Sequence, residues 1–289
     1  MHVFTSIKPM QEISLKLKAE GKTIGLVPTM GYLHEGHLSL AVRARQENDI
    51  VVMSNFVNPL QFGPKEDFAT YPRDLDRDNK QAESVGVDYV FAPSGEEMYP
   101  EDYSTYVEVK GGATEKMCGR SRPGHFLGVT TVVLKLFLIT QPNCAYFGQK
   151  DAQQAVVVRK MVEDLNLPME IVTCPIVREK DGLALSSRNT YLSPEERAYA
   201  LALPRALAAG RQLIQHGERN PGRVREEILR ILESSPGIRV DYVEVVDGRT
   251  LDELPVLRGS VLLSAAVFVG KTRLIDNIDL EVAPCTAAC

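Results

Sequence analysis

Val27-Pro28-Thr29-Met30-Gly31-Tyr32-Leu33-His34-Glu35-Gly36-His37 is the stretch on which the reading of this chain turns. It follows an apolar strand pattern over Thr23–Val27. It leads into a helical pattern over His37–Asn48, where Leu38, Leu40, Ala41, Val42 and Ala44 form an apolar stripe with charge between. A tight loop with two histidines three residues apart therefore sits at a strand-to-helix junction. Free N–H groups at a helix start attract phosphate, so both imidazoles lie beside an anion site. Gly36 keeps side chain out of the space between them and lets a nucleotide approach the backbone. A pair of partly buried histidines capping a helix would give the same local pattern, so the rest of the chain has to decide.

Outward from this loop, strand patterns recur at Ile50–Asn55, Tyr89–Ala92, Ala145–Phe147 and Glu170–Cys174. Helical patterns lie between them at Leu75–Val85, Phe126–Thr140 and Ala152–Leu165. This alternation predicts an α/β fold, a Rossmann-like parallel sheet with helices on both faces, over residues 1–180. Ligands of such sheets sit beyond the carboxyl ends of the strands, where the polar motifs of this chain also fall. After about residue 180 the texture changes to two long helices, Pro194–Gln215 and Pro221–Glu233, then strands Val240–Val246 and Val261–Val269. Ser193-Pro194 opens the first of these helices as cap and first-turn proline. A smaller α+β domain over 181–289 is expected, packed closely because no linker separates it.

The 289 residues, 44% hydrophobic and 25% charged, describe an ordinary globular chain. A net charge of -5 argues against a general nucleic-acid surface. Five cysteines without paired metal spacing fit reduced thiols, and Cys285 and Cys289 read as incidental. The longest apolar run, Val129–Ile139, is too short to cross a bilayer and is broken by Lys135. The first residues are polar and enter a helix-like stretch, so no secretory signal and a cytoplasmic location are expected.

Four further motifs carry chemistry. Asn58-Pro59-Leu60-Gln61-Phe62 offers two amides to a hydroxylated substrate and a phenyl wall, although Asn-Pro is also a plain turn signal. Arg120-Ser121-Arg122-Pro123-Gly124-His125 places guanidinium groups, suited to carboxylate or phosphate, ahead of a helix. Gly148-Gln149-Lys150-Asp151 repeats the strand–turn–helix layout, with Lys150 at a helix start that disfavours a cation unless an anion joins it. Asp151 can cap that helix or hold a ribose hydroxyl, and Gln154 lies one turn on. Leu185-Ser186-Ser187-Arg188 supplies two hydroxyls and an arginine for a triphosphate on a loop able to move with the second domain. Neither a P-loop, a dinucleotide fingerprint nor a nucleophile elbow is present.

In this order and combination, Val27 to Asn189 and then Arg273-Leu274-Ile275-Asp276-Asn277 resemble the pantoate–β-alanine ligase family, which carries a His-x-Gly-His nucleotidyltransferase signature. The resemblance implies that ATP and pantoate form pantoyl adenylate and pyrophosphate, after which β-alanine gives pantothenate and AMP. It implies catalytic roles for His34, His37, Lys150 and Arg188. ATP would be held by these together with Met30, Gly148, Gln149, Asp151, Val177, Leu185, Ser186 and Ser187. Pantoate would be held by Gln61 and Gln154, with Met30, Asn58, Phe62 and Arg122 around it. Mg²⁺ would bridge the phosphates, with Asp78 and Gln81 as its side-chain ligands, although Arg77 interrupts an acidic run common in the family. Gln149 stands where a glutamate is common. A homodimer with a lid-like second domain is also implied. The rivals are another nucleotidyltransferase with the same histidines, a tRNA synthetase, which the short acidic chain fits poorly, and a nucleotide sensor without turnover.

Overall fold

The structure, a computed structural model, describes residues 1–64 and 66–283, so Cys285 and Cys289 lie outside the described residues. The chain begins β1 (His2–Phe4), α1 (Ile7–Ala19), β2 (Ile24–Thr29), α2 (Glu35–Glu47), β3 (Ile50–Asn55), α3 (Leu75–Ser84) and β4 (Tyr89–Phe91). Three short helical segments follow, α4 (Gly95–Met98), α5 (Gly112–Glu115) and α6 (Met117–Ser121). Then come α7 (His125–Thr140), β5 (Cys144–Gly148), α8 (Ala152–Asp164) and β6 (Glu170–Cys174). The last third contains α9 (Pro194–Ala200), α10 (Ala202–Gln215), α11 (Pro221–Glu233), β7 (Ile238–Asp247), β8 (Gly259–Val269) and β9 (Thr272–Val282).

The first six strands form one sheet in the order β1-β4-β3-β2-β5-β6, with every pair parallel. Side chains alternate across it because a strand turns successive residues to opposite faces. Leu26, Val52 and Phe147 pack with α1, α7 and α8, whereas Val27, Met53 and Tyr146 pack with α2 and α3. Both faces are apolar because both are covered, as the sequence reading expects.

The order reverses between β2 and β5, and the two strands part early. Even-numbered residues of β2 face β5, since Asn143 N–H donates to Ile24 O at 2.8 Å. Their paired register ends at Leu26–Ala145. The next residue on that side, Pro28, has no N–H with which to continue the ladder. A crevice therefore opens between the loops that leave β2 and β5, which is the switch point where ligands of open α/β sheets bind.

The smaller sheet, β7-β8-β9, is antiparallel. Odd-numbered residues of β7 and β8, such as Val243, Leu263 and Ala265, and even-numbered residues of β9, such as Leu274, share a core with α10 and α11. The even-numbered residues Tyr242, Val246, Leu262 and Ala266 of β7 and β8 instead join the core of the larger sheet. The second part is thus seated on the first through apolar contact.

Three details differ from the sequence reading. The first residues contribute an edge strand, β1, made by pairing with β4 rather than by local pattern. The helix expected over Pro194–Gln215 is two helices, because Pro204 lacks an N–H and its ring excludes the carbonyl of Ala200. The Arg273–Asn277 motif lies on a third strand, β9, that the reading did not contain.

Candidate active site at the strand switch point

His34 is the N-cap of α2, and its Nδ1 accepts the Gly36 N–H at 3.1 Å. Because Nδ1 is an acceptor, the ring proton of the neutral imidazole is on Nε2. His37 therefore lies inside the first helical turn rather than in the loop, and its ring stacks on that of His34 at 4.0 Å between centroids. A Cβ at position 36 would come 2.8 Å from His34 Cε1. The glycine thus makes room for the His34 ring itself.

Burial, reinforced by the positive charge of Lys150, pushes the His34 imidazole down to about 4. Burial, then the neighbouring His34 and Lys150, holds His37 well below the ordinary imidazole range. Both are neutral near pH 7, each with one N–H to donate. His37 Nδ1 is buried without a hydrogen-bond partner among the described residues.

The preceding loop turns sharply at Gly31 (φ 80°) and Tyr32 (φ 50°), and a side chain at 31 would collide with Asn55. Asp78 holds this turn: its carboxylate accepts the N–H groups of Tyr32 and Leu33, each at 2.7 Å, and the Asn55 amide at 2.9 Å. The expected magnesium ligand Asp78 thus carries backbone contacts, while the other, Gln81, has its Oε1 buried without a hydrogen-bond partner among the described residues. Asp78 is 2% exposed and its oxygens are already engaged by backbone. No cluster of three or more His, Cys, Asp or Glu that could hold a metal occurs among the described residues.

Across the crevice, Lys150 sits in a 3-10 turn, Gln149–Asp151, between β5 and α8. Asp151 is the N-cap of α8 by position, but its side chain accepts no cap hydrogen bond; it is half exposed and lies 3.8 Å from Lys150 Nζ. Lys150, Gln154, Arg122, Ser186 and Arg188 line a cavity of about 1270 Å³ between the two sheets. His34 opens on a smaller adjoining pocket of about 300 Å³, together with Leu185, Ser186 and Ser187. The Ser186–Arg188 loop is the wall between the two, seated against the histidine loop by Ser187 Oγ donating to Tyr32 O at 3.4 Å. Val177 is joined to this loop by its carbonyl, which accepts Leu185 N–H at 3.0 Å.

The amide motif divides into two roles. Gln61 reaches Met30 Sδ at 3.2 Å, uniting two residues 31 positions apart. Phe62 packs edge-on against Phe68 and Tyr71. Asn58 is 1% exposed and saturated: its amide donates to Gln61 Oε1 and Gly128 O and accepts from Tyr99 OH and Leu60 N–H. Asn58 therefore orients Gln61 and has no group left for a substrate, a correction to its expected direct contact.

The three arginines read as anion binders all face carboxylates: Arg120 reaches Glu244 Oε1 at 3.5 Å, and the other two are firmly paired. Arg122 forms a fork with Glu66 at 2.7 Å and 2.7 Å, and also touches His125 Nε2 at 3.0 Å. Arg188 forms a fork with Asp67 at 3.0 Å and 2.8 Å. Burial and the Arg122 charge push His125 down to about 4, so this imidazole is also neutral. The acidic pair Glu66-Asp67 was invisible to motif reading, since nothing in its spacing singles it out.

Known proteins resemble this chain over nearly its whole length. The family model described as Pantoate-beta-alanine ligase matches residues 2–279. The pantothenate synthetase of Moorella thermoacetica is 59% identical over 98% of this chain and 99% of its own length. That of Carboxydothermus hydrogenoformans is 57% identical over 98% of this chain and 100% of its own. The crystal structure of pantothenate synthetase from Thermus thermophilus superposes with a TM-score of 0.92 at 48% identity, covering 98% of this chain and 100% of that one. A pantoate-beta-alanine ligase from Francisella tularensis, complexed with beta-gamma ATP and beta-alanine, superposes with a TM-score of 0.77 at 36% identity, covering 96% and 97%. Likeness on this scale, together with the switch-point histidines and lysine, sets the other nucleotidyltransferases aside: the chain is an enzyme that belongs to the pantoate–β-alanine ligase family, the pantothenate synthetases.

Proposed function

We propose that the chain joins pantoate to β-alanine in two steps, with ATP as co-substrate and pantoyl adenylate as intermediate. The observation that carries this reading is the meeting of two helix starts on neighbouring parallel strands: two neutral, N–H-bearing histidines at one, and Lys150 before the other. In the first step a pantoate carboxylate oxygen attacks the α-phosphorus. A P–O bond forms, the bond to the β-phosphate bridge breaks, and pyrophosphate leaves. In the second step the β-alanine amine attacks the acyl carbon, loses a proton, and AMP departs.

The protein positions groups and neutralises developing charge. His34 and His37 would donate to phosphate oxygens as negative charge grows. Lys150, Ser186, Ser187 and Arg188 would hold the triphosphate and the leaving pyrophosphate, with Arg188 exchanging Asp67 for phosphate. Gly148, Gln149, Asp151, Val177 and Leu185 would line the adenosine. Gln61 and Gln154 would bind pantoate oxygens, with Met30 and Phe62 against its dimethyl face, while Arg122 acts near the carboxylate once freed from Glu66. Magnesium enters this reading as part of the ATP complex, held through phosphates and water, with Asp78 and Gln81 as its side-chain ligands. The complex of the Francisella tularensis relative with beta-gamma ATP and beta-alanine supports the two small-molecule assignments.

The division into a nucleotide- and pantoate-binding part, 1–180, and a smaller covering part, 181–289, belongs to the same reading, as do a homodimer and a cytoplasmic location. No helix among the described residues is long and apolar enough to cross a membrane.

The test is ATP–pyrophosphate exchange with pantoate present and β-alanine absent. Exchange that requires pantoate, followed by AMP formation once β-alanine is added, is the expected result. ATP binding without any pantoate-dependent exchange would sink the two-step reading. Gln61→Ala should raise the pantoate KM far more than the ATP KM, and an equal loss for both would remove Gln61 from the pantoate site.

A further inference from the structure

The motif Arg273–Asn277 is far from the histidines in sequence, and the reaction as proposed leaves it without a task. The structure brings its last two residues to the Lys150 turn. Asn277 is 2% exposed, and its Nδ2 donates to Gln149 O at 2.8 Å and to Lys150 O at 2.9 Å. Its Oδ1 accepts the Gln149 side-chain amide at 3.0 Å. One carboxamide from β9 thus fixes the backbone of two successive residues of a turn that has no cap of its own.

Asn277 is itself held. Its N–H donates to Asp276 Oδ1 at 2.8 Å, and Asp276, 1% exposed, forms a fork with Arg178 at 2.7 Å and 2.9 Å. Arg178 follows Val177 and pairs with Ala184 in the short hairpin that leads into Ser186–Arg188. It also donates to Gly182 O at 3.0 Å. Asp276-Asn277 therefore grips the two phosphate-side elements of the crevice at once, the Lys150 turn and the hairpin.

We propose that Asn277 is a positioning residue of the smaller sheet that aims Lys150 into the cavity, with Asp276–Arg178 setting the Ser186–Arg188 loop in register with it. The proposal rests on the reading of Lys150 as a triphosphate ligand. A carboxylate in place of the carboxamide would face two backbone carbonyls without a proton to donate, and the turn would lose its register.

The test uses the full-length enzyme and magnesium-ATP, with affinity measured by calorimetry in the absence of pantoate. Wild type, Asn277→Asp, Lys150→Ala and the double variant form a cycle, accompanied by thermal unfolding of each. Asn277→Asp should weaken ATP binding roughly 10-fold in the wild-type background but less than about twofold when Lys150 is already alanine. Equal factors in both backgrounds would overturn the proposal while leaving Lys150 as a ligand. A Lys150→Ala enzyme that binds ATP as wild type does would overturn the Lys150 reading, and the proposal with it. Asn277→Ser gives the same comparison with a small uncharged side chain, so the outcome does not hinge on tolerance for a buried carboxylate.

Discussion

The two strand-to-helix junctions that face each other across the crevice are built in opposite ways. After β2, the helix start at the histidine junction has its own cap: His34 caps its own helix, Gly36 clears the space for the His34 ring, and His37 stacks one turn away, while Asp78 from α3 holds the turn before it. After β5, the lysine junction has no cap from its own helix and is fastened from 128 residues away by Asn277. The first helix start is capped within its own few residues, with Asp78 added from α3. The second is right only when the smaller sheet is in place, which ties the geometry of Lys150 to the seating of the two sheets.

The contrast is most exposed to failure at His37. Replacing it with alanine should cut pantoate-dependent ATP–pyrophosphate exchange by roughly 10²- to 10³-fold, the cost of losing one preorganised donor. A near-normal rate would deny the histidine junction its catalytic part. Gly36→Ala should act through geometry instead, by driving the His34 ring aside, and a fall of about tenfold in the exchange rate is the expected size, somewhat below the loss of a donor outright. If exchange survived that change intact, the close approach of Gly36 to the ring would have no functional meaning.

Stability separates the junctions next. His34→Ala should lower unfolding free energy by about 1 kcal/mol through the lost cap. Asp151→Ala, at the junction without a side-chain cap bond, should stay within about 0.5 kcal/mol. Urea midpoints measured side by side decide this, and equal losses would mean that the two helix starts are supported alike.

The smallest effect concerns pH. His34 and His125 are held in the fold at about 4, below the ordinary 6.5, so the fold favours their neutral forms. The stability they contribute is complete above about pH 6.5 and is lost as pH falls towards 4. The urea midpoint of wild type should therefore drop between pH 6.5 and pH 4, and the drop should be shallower in His34→Ala. A midpoint independent of pH across that window would contradict the burial of these rings.

Several site features are legible in the chain because their causes are local. A histidine before a helix start, a glycine between two histidines, a lysine at a turn entering a helix and a serine pair with an arginine are all short-range patterns. Asn58 escapes such reading for a related reason: Asn-Pro announces a turn, but only the approach of Tyr99 and Gly128 shows that all its hydrogen-bonding capacity is used inward. Asp78 is expected as a metal ligand from the family resemblance, and an acidic residue on a helix gives no sign in sequence of the two N–H groups that its carboxylate meets.

The alternation of strand and helix, the apolar character of both strand faces, and the chemistry carried at the strand ends are all written in the order of the residues, because periodicity and capping act within a few positions. Which strands become neighbours is not written there and was settled by packing. β2 lies beside β5, and Pro28 ends their shared ladder, so the histidine and lysine loops share one crevice. Packing likewise settled that Arg122 and Arg188 rest on Glu66 and Asp67, and that Asn277 holds the Lys150 turn. These are contacts between segments distant in the chain, and a hydrogen bond or ion pair of that kind leaves no periodic trace in either partner.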